Sequence, residues 1–253
     1  MRPYNRSLHP SDYDFIHDVP ELRAFERAMV EDEVPHREWH KHRLWEYGSI
    51  LQQLNELDVP LDCELIDVGA GASFFDPYLA LRYPKLCCTD SMKYGDVTGM
   101  VEAQREFYGV ALPLYDLMLE DMSAKLEIGW GGATDKFDVT MCISTIEHVD
   151  DHDAAFRELV RITKPGGLIF ITSDYFRDVA QWEASPSRHL QVTPYMKDYV
   201  LDLPAKFGLA FVGETDFDYR GDFVHSYSFC NIVLRKPAAS TPGTRRVTTE
   251  RQN

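Results

Sequence analysis

Positive charge is scarce in this chain: 26 Lys and Arg stand against 41 Asp and Glu, a formal charge of −15 over 253 residues. Nucleic-acid binding depends on Lys and Arg displacing phosphate counterions, so DNA and RNA are excluded as expected partners. The clearest basic pair, Arg245 and Arg246, lies in the carboxyl-terminal tail. Long apolar runs are missing as well. No stretch approaches the roughly 20 residues that span a bilayer, and Met1 to Pro10 has no apolar signal core. Cysteine is sparse and odd in number: Cys63, Cys87, Cys88, Cys142 and Cys230 show no CxxC spacing. Neither a disulfide framework nor a zinc site is indicated, and the thiols read as small core residues. These absences predict a cytoplasmic protein without membrane insertion. They give no signal for an oligomeric state.

What is present starts with Glu64-Leu65-Ile66-Asp67-Val68-Gly69-Ala70-Gly71-Ala72-Ser73. An apolar strand runs into a carboxylate and then a glycine pair where a helix should begin. Two glycines spaced by one residue let the backbone turn sharply and lie against a ligand. The same pair also suits an ordinary tight turn. Lys85 to Thr89 then reads as a second strand closing on Asp90, near the roughly 20-residue offset of a ribose-binding acid. A carboxylate there can accept hydrogen bonds from both ribose hydroxyls. A solvated strand end would look the same without the glycine loop.

One further absence narrows the reading. The dinucleotide fingerprint has a third glycine three residues after the second, and this chain has Phe74 instead. A nicotinamide oxidoreductase is disfavoured. The pattern Asp67-x-Gly69-x-Gly71-x-Ser73 resembles motif I of the class I S-adenosylmethionine-dependent methyltransferases, with Ser73 in place of a third glycine. Phe137 to Val149, ending Ile146-Glu147-His148-Val149, resembles the family's fourth-strand motif. Leu159 to Gly167, with Lys164-Pro165-Gly166-Gly167, resembles its turn before strand five. The resemblance covers roughly residues 60 to 175 and is strongest to small-molecule methyltransferases related to the ubiquinone-biosynthesis enzymes.

The resemblance implies a Rossmann-like, doubly wound, mostly parallel seven-stranded sheet with a terminal antiparallel hairpin and an N-terminal helical extension. It implies S-adenosyl-L-methionine as cofactor and a small-molecule acceptor with an oxygen or nitrogen nucleophile. It places Asp67, Gly69, Ala70 and Gly71 at the loop and methionine end, Asp90 and Ser91 at the ribose, and Asp121 and Met122 at the adenine. Ile143, Ser144 and Tyr47 complete the cofactor set. Glu147 and His148 stand just beyond strand four, beside the expected methyl position, and are the catalytic candidates. His148 is the better general base because imidazole titrates near neutrality. Both residues equally suit the start of the next helix, where they would orient the loop. Ubiquinone-pathway relatives place a metal-binding Glu three residues before this Glu, and here that position is Ser144, so no metal is expected. A methyltransferase-fold protein serving as a non-catalytic binding or scaffold subunit is the alternative.

Two His groups have partial metal-ligand spacing: His36, His40 and His42, and His148 and His152 among Asp150, Asp151 and Asp153. The second also suits a solvated helix start, where acids favour the dipole. In the first region Arg43, Trp45 and Tyr47 are placed to reach a methionine carboxylate or the acceptor. Acceptor recognition is expected from Tyr175, Phe176, Trp182, Arg188, His189, Tyr219, Arg220 and His225.

Along the chain, residues 1 to 58 read as an arm and helix covering the site, with a short helix over Glu21 to Val30 and an amphipathic one over Glu38 to Glu56. Residues 59 to 236 read as the cofactor-binding domain. Its strands are expected at 63–68, 85–89, 111–115, 137–143, 167–173, 209–214 and 226–234. Its helices are expected at 74–82, 97–107, 151–163 and 193–207, with an irregular insertion at 174–192. Strands alternating with helices are the rhythm of a parallel sheet. The tail, 237 to 253, has almost no large apolar side chain and is expected to stay mobile.

Overall fold

A computed structural model describes residues 4–9, 12, 23–25, 27–28, 35, 43–93, 95–117, 119, 133–186, 188–190, 193–222 and 227–239. The strands are β1 (Asn5–Ser7), β2 (Leu65–Val68), β3 (Leu86–Asp90), β4 (Leu114–Asp116), β5 (Phe137–Ile143), β6 (Thr163–Tyr175), β7 (Ala210–Phe211), β8 (Thr215–Asp216) and β9 (Ser228–Arg235). The helices are α1 (Leu44–Glu56), α2 (Phe75–Ala80), α3 (Thr98–Tyr108), α4 (His152–Ile162), α5 (Val179–Ala184) and α6 (Lys197–Phe207). None is long and apolar enough, among the described residues, to cross a membrane.

The sheet runs β4-β3-β2-β5-β6-β9-β1-β8, with β7 also on β9. β2, β3, β4, β5 and β6 are parallel, and β9 is antiparallel to β6. After β2 the chain builds outward through β3 and β4, then returns to the other side of β2 for β5. That reversal is the point where open α/β sheets form a crevice beyond their carboxyl ends.

Alternating side chains explain why the central strands carry helices on both faces. Leu65, Leu86, Val139, Met141 and Phe170 face one way and pack with Ile50, Leu54, Phe75 and Leu79 of α1 and α2. Ile66, Val68, Cys142, Ile169 and Ile171 face the other and pack with Phe156, Leu159, Val200 and Leu203 of α4 and α6. All five cysteines are buried free thiols, as their apolar neighbours in the sequence suggest.

The sheet has nine strands, not seven. The antiparallel pairing of β7 with β9 is present. The additional strands are β1, antiparallel to β9, and β8, parallel to β1. Both are too short and polar for alternation to reveal. β6 is longer than expected because the Lys164-Pro165-Gly166-Gly167 turn lies inside it as a bulge: Thr163 pairs with Phe137, yet Leu168 pairs with Val139. α5 occupies part of the segment expected to be irregular. Asp178 starts it, its Oδ1 accepting the Gln181 N–H at 2.8 Å. Within the arm, residues 23–25 and 27–28 are helical, and Phe25 is buried against Phe74, Phe75 and Tyr78. Residues 240 to 253, most of the expected mobile tail, fall outside the described residues.

β1 and β7 share one edge of β9, and Asn5 closes the gap between them. Its Oδ1 accepts the Val233 N–H at 2.6 Å while its Nδ2 donates to the Val212 carbonyl at 2.8 Å. The side chain thus continues the ladder where neither strand reaches, and Asn5 is 0% exposed. Asn5→Ala would strand a buried donor and acceptor, each costing about 1–3 kcal/mol. Urea unfolding should show a loss of about 2–4 kcal/mol at unchanged slope. A loss below about 0.5 kcal/mol would mean the bridge contributes nothing beyond solvent exchange.

Candidate functional site

The two glycines of the loop have different reasons to be glycine. Gly69 has φ +79°, and a Cβ there would fall 2.1 Å from Thr145 Cγ2, so the space is already taken. Gly71 has φ +59°, and a Cβ there would meet nothing within 4 Å; it would project into open space. The Gly69 and Ala70 N–H groups donate to the Thr89 carbonyl at 2.8 and 2.9 Å, fastening the loop to β3. Thr145 Oγ1 stands 2.9 Å from the Gly69 carbonyl and 3.0 Å from that of Ile143, its one proton shared between them. Asp90 completes the clamp: Oδ2 accepts the Gly71 N–H at 2.9 Å and Oδ1 the Met92 N–H at 2.8 Å.

These contacts frame a cavity of about 720 Å³ at the carboxyl ends of β2, β3 and β5, within the range of small-molecule sites. Tyr47, Asp67, Gly69, Ala70, Gly71, Asp90, Ser91, Ile143, Ser144 and His148 all line it. Glu147 does not. Asp121 and Met122 lie outside the described residues. The walls that sequence reading missed are Thr145, Lys93, Asp96, Val97, Met100, Leu117, Leu119 and Leu190. Most are apolar or on connections, where no local pattern marks them. Arg43, noted in the sequence as placed to reach a ligand, lines the cavity as well.

Asp67 is 1% exposed and its Oδ1 has no hydrogen-bond partner. Burial pushes its carboxyl up to about 7, offset by contact with Asp76 of α2. Asp76, 2% exposed, is raised well above the carboxylate range by burial and then by the Asp67 charge. Each acid disfavours the other's charge, and Asp76, raised the further, is the one that keeps its proton. Ser73, Tyr47 and Phe75 meet nearby: the Ser73 hydroxyl donates to Tyr47 Oη at 3.3 Å, and the Tyr47 ring stacks on Phe75 at 4.7 Å. Burial raises the Tyr47 phenol, so it stays protonated.

Ser144, at the end of β5, has φ +47°, an uncommon conformation for a side-chain-bearing residue. The 3-10 turn Ile146–His148 follows. His148 Nδ1 lies 2.6 Å from the Leu190 carbonyl, which can only accept, so the proton sits on Nδ1 and Nε2 keeps its lone pair. Burial depresses the imidazole pKa, holding it neutral. Glu147 is 1% exposed and its Oε1 accepts the Asp174 N–H at 3.1 Å. Burial raises Glu147 to about 7; burial and then the Glu147 charge do the same to Asp174. Glu46 on α1 is also buried and raised by desolvation, offset by Arg43, whose Nη1 is 3.3 Å from Glu46 Oε2.

His152 does not join His148. It turns into the core between Tyr195 and Tyr199, with Nε2 2.7 Å from Tyr195 Oη and Nδ1 2.9 Å from Tyr199 Oη, and burial lowers it to about 4. Asp151 caps α4. Among the described residues, no group of three or more His, Cys, Asp or Glu could hold a metal ion. His36, His40, His42 and His225 lie outside the described residues. Of the other acceptor candidates, Tyr175 and Phe176 are buried, and Tyr175 Oη donates to the Phe217 carbonyl at 2.5 Å. Arg188 stacks over Trp182 at 4.7 Å, and His189 Nδ1 is 3.1 Å from the Pro186 carbonyl. Tyr219 bonds Asp222 and Arg220 pairs with Asp216. None of these lines the cavity.

Residues 66–171 match a family model described as a methyltransferase domain. A ubiquinone biosynthesis O-methyltransferase from Pseudomonas savastanoi pv. phaseolicola is 25% identical over 145 residues, 52% of this chain and 58% of that protein. The chain thus spans little more than half the length of the curated relatives it matches. Among solved structures, the YcgJ protein of Bacillus subtilis superposes with TM-score 0.60 at 12% identity, covering 75% of this chain and 98% of that one. The [4+2]-cyclase SpnF superposes with TM-score 0.58 at 14% identity, covering 77% and 83%. These likenesses show the fold.

The buried acids also set how stability depends on pH. A carboxyl whose pKa is higher folded than unfolded binds more protons in the folded state, so stability falls as pH rises from about 4 through its folded value. Asp67, Glu147 and Asp174, each raised to about 7, act this way, as do Asp76 and Glu46. The lowered His148, and His152 at about 4, act oppositely as pH climbs towards 6.5. The acids outnumber them, so urea unfolding should show lower stability at pH 8 than at pH 5. Asp76→Asn removes one charge of the pair and should gain on the order of 1 kcal/mol at pH 8 while flattening the slope. Stability rising from pH 5 to pH 8, or an unchanged slope in the variant, would contradict a proton kept by Asp76.

Proposed function

We propose that this chain is a class I S-adenosylmethionine-dependent methyltransferase that binds S-adenosyl-L-methionine in the cavity and methylates a small molecule on oxygen or nitrogen, a reading supported by the match of residues 66–171 to a methyltransferase-domain family. The observation that carries the reading is the open cradle at Gly71, where any side chain would enter the cavity, facing Asp90 across the loop. Asp90 uses one lone pair on each oxygen for the loop and retains others for two ribose hydroxyls. Met100, Leu117 and Leu119 offer an apolar face for a purine, with Asp121 and Met122 assigned to its edge. Asp67, Arg43 and the Ser144 hydroxyl serve the methionine end. In this reading residues 1–58 cover the site, 59–236 bind the cofactor and 237–253 form a tail. The buried Phe25 packed on Tyr47, and Gln104 Nε2 donating to the Pro35 carbonyl at 3.1 Å, support the covering role.

When bound, the cofactor supplies an electrophilic methyl group on a sulfonium. The chain's own contribution is to hold the acceptor in line, exclude water and take a proton. Positioning of this kind accounts for much of the rate in displacement reactions. His148 is assigned the proton: it lines the cavity, and the Leu190 carbonyl fixes its tautomer with the lone pair on Nε2. Glu147, behind the cavity wall, is assigned to orienting the loop through the Asp174 amide.

Calorimetric titration should give a dissociation constant of order micromolar for S-adenosylmethionine and no heat with NAD. Asp90→Ala should weaken the first at least about tenfold, or 1.4 kcal/mol. Heat with NAD alone would favour an oxidoreductase, and silence with both a scaffold. Once an acceptor hydroxyl compound is found by methyl incorporation, His148→Gln should lower kcat by about 10²–10⁴ at unchanged cofactor affinity. An unaltered kcat would assign His148 to the loop instead.

A further inference from the structure

Of the segment expected to recognise the acceptor, residues 174–192, Leu190 is the described residue that reaches the cavity. Leu61, Leu81, Phe107, Val179 and Leu201 are the other large apolar side chains exposed among the described residues, and none of them lines the cavity. Leu190 lines it and is 41% exposed. A lone exposed leucine is ordinary on a protein surface. This one is held in place from two sides. The Arg188 N–H donates to the Ser185 carbonyl at 3.1 Å and the Arg188 guanidinium stacks over Trp182 at 4.7 Å, which ties the 3-10 turn Arg188–Leu190 to the end of α5. On the other side the Leu190 carbonyl lies 2.6 Å from His148 Nδ1, and the Thr193 N–H donates to the Glu147 carbonyl at 3.1 Å. The two turns are therefore fastened together at the residue assigned to take the proton.

The wall continues as an apolar one. Val149 follows His148 in the chain, lines the cavity and is 9% exposed. Lys93, which also lines the cavity, has its Nζ 3.4 Å from Asp150 Oδ2, so its charge is met by a neighbour of Val149. Met100, Leu117 and Leu119 are assigned to the purine, whereas Leu190 and Val149 adjoin His148. Apolar walls discriminate by volume, and one methylene changes selectivity about 10- to 200-fold in a hydrophobic pocket. We propose that Leu190 is a specificity residue whose backbone and side chain act separately: the carbonyl holds His148, and the side chain limits the size of the apolar group flanking the accepting atom. The proposal rests on the methyltransferase reading and adds to it the residue that sets acceptor size.

The test varies the side chain and keeps the carbonyl. Phenol, 2-methylphenol and 2-tert-butylphenol are the probes on the full-length protein, in methyl transfer from S-adenosylmethionine and in calorimetry with S-adenosylhomocysteine bound. Leu190→Ala should raise kcat/KM for 2-tert-butylphenol relative to phenol by at least about fivefold, and Leu190→Phe should lower it by as much, with the affinity ratios moving the same way. Leu201→Ala, at an exposed position away from the cavity, should leave the ratio unchanged. Affinity for S-adenosylmethionine should stay within about threefold of the parent in every variant, and the pH dependence of transfer should not shift, because the carbonyl on His148 is retained. A ratio that does not move in opposite directions in the two Leu190 variants, equal losses for all three probes, or neither binding nor transfer with any probe would overturn the proposal. So would a tenfold loss of S-adenosylmethionine affinity in Leu190→Ala, which would put the side chain against the cofactor. Failure of S-adenosylmethionine to bind the parent protein overturns the methyltransferase reading, whereas cofactor binding with an unmoved ratio overturns this inference alone.

Discussion

The close approach of Thr145 to Gly69 is the contact on which the cavity depends. It joins the loop after β2 to the loop after β5 at the reversal of strand order, and it works only because residue 69 has no Cβ. One shared hydroxyl proton ties the Gly69 and Ile143 carbonyls together, while two amide bonds to Thr89 hold the same loop from the β3 side. A loop fixed from both sides keeps Gly71 turned outward without help from a ligand. Such preorganisation lowers the ordering cost of binding. The Asp90 bonds to Gly71 and Met92 extend the frame across the second strand, so the acid is positioned by the same backbone it organises.

Charge is distributed unevenly around this frame. Asp67 and Asp76 lie beneath the loop, and Glu46, Glu147 and Asp174 lie beyond the end of β5. In the first pair, burial and the Asp67 charge favour a proton on Asp76. The second group draws on Arg43 and on the Asp174 backbone N–H. Buried acids are rarely kept where stability alone is served, since apolar residues of similar volume often stabilise as well or better. Of these acids Asp67 alone lines the cavity, and the others stand behind its walls.

The sheet was legible in the sequence to the extent that its strands are apolar and long. β5, for example, was predicted as 137–143 and is found as Phe137–Ile143, because seven consecutive residues suit a strand covered on both faces. β1 and β8 were not legible, since Asn5–Ser7 and Thr215–Asp216 carry no alternation and are held by β9 and the Asn5 amide, contacts distant in sequence. The bulge in β6 hid in a Pro-Gly-Gly sequence that reads locally as a stop. In the cavity, the glycines, Asp67 and Asp90 were found because their spacing is itself the signal. Thr145, Asp76 and Glu46 were missed because each acts through a partner that only the folded chain brings near. Tyr219 and Arg220 showed the converse: their chemistry suited a ligand, but Asp222 and Asp216 occupy them on the surface.

Fold likeness alone does not fix what this chain does, since proteins with the same architecture include a [4+2]-cyclase. The site must carry the argument, and its electrostatics do so in a specific way. On the proposed reading, positive charge leaves sulfur as the methyl group transfers, so fixed negative charge beside it would hold back the reaction. A proton kept by Asp76 removes one such charge from beneath the loop. Glu46 and Glu147, 0% and 1% exposed, do not line the cavity, so two more are set back from its surface. Placement of the acids, rather than their number, is what reconciles a chain of formal charge −15 with a reaction that disperses positive charge.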